Sequence, residues 1–113
     1  MPHVILAQRA DLERAWKEFP SGPVRLTNAV WRIEGRFLGS SGGELLLAAV
    51  VVEYGRPLHP VVLITHRQEK TAVHLWPVVP VERTEAVKRL VAWVAAELSA
   101  FGAAPVLTTN LPL

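Results

Sequence analysis

The stretch ELLLAAVVVE, Glu44 to Glu53, sets eight consecutive apolar residues between two carboxylates. A bilayer-spanning helix needs about 20 such residues, so the run is too short to cross a membrane. Three successive valines, with GSSGG before the run and YGRP after it, favour a strand over a buried helix. A strand with no polar alternation is buried on both faces. The chain must therefore build a sheet and cover it twice, within 113 residues.

The elements available for that task follow from spacing. HVILA (His3 to Ala7) is β-branched and apolar and predicts a short first strand. DLERAWKEF then places Leu12, Ala15, Trp16 and Phe19 on one helical face, with Asp11 as N-cap and PSGP (Pro20 to Pro23) as stop. Val24 to Leu38 reads as one long, bent strand, Glu44 to Glu53 as the second, Leu58 to His66 as the third and Thr71 to Val79 as the fourth. The loops between them are Gly39–Gly43, Tyr54–Pro57 and Arg67–Lys70, short enough for an antiparallel meander. Glu82 to Phe101 carries the strongest helical pattern, with Val87, Leu90, Val91, Val94, Leu98 and Phe101 in one stripe and Gly102 as C-terminal cap. An edge strand over Val106 to Thr109, frayed by Pro112, closes the chain. The expected fold is thus α+β, one domain over 1–113: a four- to five-stranded antiparallel meander flanked by a short N-terminal helix and a long C-terminal amphipathic helix.

Side chains alternate across a strand, so these loops assign two faces. One collects Trp31, Ile33, Phe37, Leu45, Leu47, Ala49, Val51, Leu58, Val62, Ile64, Val73 and Leu75, a core face suited to the long helix. The other collects Arg32, Glu34 and Arg36 with Val50, Val52, Val61, Leu63, His74 and Trp76. Its middle is apolar, and a monomer rarely leaves a large apolar patch in water. Three covers are open to it: the first helix, a second copy of the chain, or a ligand. Trp93 lies off the core stripe of the long helix, so it either packs under a loop or meets a partner.

Charge narrows the function. Twelve cations against ten anions give a net charge of +2, and Arg and Glu alternate along the chain rather than forming a basic stripe. The absence of cysteine excludes disulfides, thiolate metal sites and thiol nucleophiles. No signal pattern opens the chain, and a cytoplasmic location is expected. One Met, two Gln, two Asn and nine Pro fit a heat-adapted source.

Candidate chemistry is sparse. His59, His66 and His74 are close in sequence, but His66 has the opposite parity, and His59 and His74 are offset by about 13 Å, which argues against a shared metal. Ser40 and Ser41 lack a nucleophile elbow, and LGSSGGEL (Leu38 to Leu45) lacks the phosphate-loop pattern. No catalytic residue, metal or cofactor is assigned, and a non-catalytic role is expected. The leading reading is a homodimeric interaction or regulatory module pairing through Val50, Val52, Val61, Leu63 and Trp76, or through Trp93. A second is a nucleic-acid-binding domain, whose helix–meander–helix order resembles that of double-stranded-RNA-binding domains in element order alone. A third is a protein or enzyme that binds a small apolar anion through Arg32, Arg36 and His74.

Overall fold

Burial alternates along Glu44–Glu53, the strand β4, with Leu45, Leu47, Ala49 and Val51 at most 3% exposed and the residues between them half-buried. The apolar run is thus a central strand, as its composition requires. In the computed structural model, which describes residues 2–111, it lies in an antiparallel sheet of eight strands in an α+β fold. These are β1 (His3–Ala7), β2 (Val24–Arg25), β3 (Ala29–Leu38), β4, β5 (Arg56–Leu58), β6 (Val61–Arg67), β7 (Lys70–Leu75) and β8 (Val106–Thr109). The order across the sheet is β2-β3-β4-β6-β7-β1-β8, with β5 pairing beside β6 along the far part of β4. Helix α1 spans Leu12–Glu18, and α2 spans Glu85–Glu97 before tightening into a 3-10 turn over Leu98–Phe101.

The strand count exceeds the expected four or five because two of the expected strands are each divided and the terminal strands β1 and β8 join the same sheet. Tyr54 and Gly55, both at positive φ, form a two-residue turn, which frees Arg56–Leu58 to pair back onto β4. Gln68, also at positive φ, turns β6 into β7 in two residues rather than four. Both changes are even in residue number, so they leave the face assignments of β5, β6 and β7 intact. The long strand expected over Val24–Leu38 is broken at Leu26–Asn28 into β2 and β3.

One register differs, and it moves two side chains. The β3–β4 loop is one residue shorter than expected, since Gly39 N donates to the Glu44 carbonyl at 2.8 Å. Leu38 therefore pairs with Leu45, Phe37 with Leu46 and Arg36 with Leu47. A bulge between Ile33 and Gly35 restores the expected pairing for Trp31 and Ile33. Phe37 accordingly leaves the core face and is 60% exposed on the other side, while Arg36 turns towards the core side. Gly35 accommodates this arrangement: a Cβ there would meet the Phe37 ring at 3.0 Å.

Helix α2 lays its expected stripe on the core face, and Val87, Leu90, Val91, Val94 and Leu98 are fully buried. Thr84 caps its start by accepting from Val87 N, so the helix begins three residues later than Glu82. Gly102 at φ 95° ends the 3-10 turn, as its position predicts. Helix α1 packs on the same face. Leu12, Ala15 and Phe19 are buried there, while Trp16 sits at the margin, donating its Nε1–H to the Arg36 carbonyl at 3.2 Å. The cause is in the β1–α1 connection. Thr71, buried on the core face of β7, accepts from Ala10 N at 2.9 Å and donates to the Gln8 carbonyl at 2.8 Å. The chain is thereby pulled over the core face before the helix starts. Strand β8 pairs with β1 as an edge, and Pro112, expected to fray it, lies outside the described residues.

Candidate functional site

Both helices occupy one face, so the other has no cover among the described residues. Its composition follows from the registers. One row runs Phe37–Leu46–Leu63–His74–His3 across β3, β4, β6, β7 and β1, each neighbour a direct cross-strand pair. The next rows add Ala48 beside Val61, Arg32 beside Val50, and Val30 beside Val52. Trp76 joins Val61, to whose carbonyl its N–H donates at 2.8 Å. Side chains on neighbouring strands stand about 5 Å apart, so these residues form a continuous surface. Phe37, Leu46, Leu63, Thr65 and Trp76 enclose a shallow groove of about 380 Å3 within it. Thr65 Oγ1 is buried there and has no hydrogen-bond partner among the described residues.

The expected interface residues divide between the two sides of the sheet. Val50, Val52, Val61, Leu63 and Trp76 share the open face and are half-buried. Trp93 does not join them. It packs inside the chain, edge-on to Phe19 at 5.5 Å and tilted against Trp31 at 6.0 Å. The helix α1 supplies the cover that the sequence left open for that indole.

The expected anion contacts are also separated. Arg32 stands on the open face, 3.5 Å from Glu34. Arg36 is on the opposite side, where its guanidinium donates to the Trp16 carbonyl at 3.3 Å and to Ser21 Oγ at 2.7 Å. The charge ladder expected from Arg32, Glu34 and Arg36 is therefore split by the bulge. His74 lies on the open face, at the end away from Arg32, and neighbours two basic residues that the sequence reading did not join to it. Its cross-strand partner is His3, and Arg67 reaches the same depression, of about 420 Å3, lined also by Ile5 and Ala72. Burial, then Arg67, then His3 hold the His74 imidazole below its ordinary pKa, because each disfavours the cation.

Other candidates are absorbed by structure. His66 donates Nε2–H to the Ala10 carbonyl at 2.8 Å and accepts at Nδ1 from Arg9 at 2.9 Å, which makes it a strut between β6 and the start of α1. Ser41 Oγ donates to Glu44 at 2.9 Å and accepts from Gly43 N, closing the hairpin loop on itself. Among the described residues no group of three or more His, Cys, Asp or Glu could hold a metal ion. A depression of about 410 Å3 beside the start of α2 mixes Glu53 and Glu85 with Arg89 and Tyr54. Among the described residues no helix is long and apolar enough to cross a membrane. Comparison with protein-family models, with curated proteins and with solved structures finds no match.

Proposed function

We propose that the protein is a non-catalytic interaction module that works as a homodimer, two copies pairing through the open face of the sheet. The observation that carries this reading is the continuous apolar surface over β3, β4 and β6 that neither helix covers. At strand and residue spacings of about 4.8 and 3.3 Å, each side chain on one face covers about 32 Å2, so its nine apolar side chains occupy on the order of 300 Å2. That is within the range of the largest apolar patch on a monomer, and two such faces with their polar rim make a small, weakly associating interface.

Charge supports self-pairing. Arg32 marks one end of the face and Glu44 the other, six residues apart in register along β4. A twofold axis crossing the strands at the level of Leu47 sets Arg32 of each copy towards Glu44 of its partner, so neither charge is buried alone. Sedimentation equilibrium at micromolar concentration tests the reading: a mass twice the 12.4 kDa of the chain is expected, and a strict monomer overturns it.

A further inference from the structure

We infer that pairing through the open face is broken by acid at His74, a regulation that rests on the homodimeric reading of that face. His74 borders the apolar surface. It is half-buried on β7, in one row with Leu46 and Leu63, so a copy laid on those leucines also strips water from the imidazole. The twofold axis that matches Arg32 with Glu44 crosses the strands at the level of Leu47. On β7 that level lies between His74, which pairs with Leu63 in the Leu46 row, and Trp76, which joins Val61 in the Ala48 row. The same axis therefore sets His74 of each copy against Trp76 of the other. It also brings the two His74 residues within about 7 Å of each other along the strand direction.

The groups that face the ring set the sign. Arg67 reaches it from β6 and His3 from β1, and the second copy adds its own His74 and His3 across the axis. On β4 the nearest carboxylate in register is Glu44, opposite Thr65, two strands or about 10 Å from β7. In one chain, burial, then Arg67, then His3 already hold the imidazole towards its neutral form. Pairing increases the largest of these, burial, and two protonated His74 rings would repel each other across the axis. These two effects give the sign by themselves, and neither involves His3. A free copy consequently binds more protons than a paired one just below pH 6.5, so dissociation takes up a proton at each copy. Pairing is at full strength above that value and is lost as pH falls through the depressed range.

The test follows the dimer dissociation constant by sedimentation from about pH 8 to about pH 5, the span in which a histidine changes charge, with circular dichroism confirming the fold. In the wild type the constant should rise about tenfold or more on acidification. In His74→Gln it should stay level across the span, whatever that variant's affinity at the alkaline end. A second measurement uses the unaltered chain: the His74 ring titration, followed by NMR, should move to lower pH as concentration is raised from the free to the paired range. A wild type that is dimeric and equally tight across the span overturns the switch and leaves pairing intact. So does a His74→Gln protein that keeps the acid dependence, or a ring titration that ignores concentration. A chain that is monomeric throughout overturns pairing, and the switch with it.

Discussion

Phe19 meets Trp93 edge to face, with ring centroids 5.5 Å apart and planes at 86°, and stacks on Phe101 at 6.2 Å. This contact ties the last residue of the α1 segment to the middle of α2. It commits both helices to one side of the sheet and leaves the opposite face uncovered among the described residues. Phe19→Ala removes a ring that is 2% exposed from an aromatic cluster, and should cost about 3–5 kcal/mol in urea unfolding. The oligomeric mass of the folded fraction should not change, because Phe19 is remote from the open face.

Thr71 decides where α1 goes. Thr71→Val keeps the shape of the side chain but leaves the Ala10 N–H and the Gln8 carbonyl without their partner in a buried site. An unsatisfied buried polar group costs about 1–3 kcal/mol, so the variant should lose at least about 2 kcal/mol. Thr71→Ser keeps the hydroxyl and should lose about 1 kcal/mol. Equal losses in the two variants would show that the hydroxyl does not anchor the connection.

His74 gives the protein a pH-dependent stability of known sign. Its pKa is lowered in the folded state, so the unfolded chain binds more protons over the window just below the ordinary value of 6.5. Stability contributed by the neutral ring is therefore full above pH 6.5 and is lost as pH falls through the depressed folded value. His74→Gln should flatten this part of the profile of unfolding free energy against pH, and an unchanged profile would assign the slope to another group.

How much of this was legible in the residues depends on the range of the interaction concerned. The central strand, the buried stripe of α2 and the Gly102 cap follow from neighbours a few residues apart, and each was readable. The exposure of Phe37 was not, because it turns on a hairpin loop one residue shorter than GSSGG suggests and on a bulge whose only local sign is Gly35. The side taken by α1 depends on Thr71, some 60 positions further along the chain. His3 and Arg67 were missed for the same reason: β1 reaches β7 only after the meander is complete, so nothing near His74 in sequence announces them. Trp93 was rightly marked as lying off the core stripe of α2, but its partner, Phe19, belongs to an element whose position only the tertiary structure supplies.

The most direct test of pairing through the open face is the solution mass, by light scattering, of Leu63→Glu beside Leu107→Glu. Leu63 lies in the centre of that face, and Leu107, 51% exposed, lies on the edge strand β8. Both positions reach water in a lone chain, Leu63 half-buried and Leu107 exposed, whereas a glutamate at Leu63 meets its own copy across the proposed interface at a cost of several kcal/mol. Leu63→Glu should run at the 12.4 kDa mass of one chain with an unchanged circular dichroism spectrum, and Leu107→Glu at twice that mass. A Leu63→Glu protein that stays dimeric, or a wild type that is already monomeric, contradicts pairing through this face.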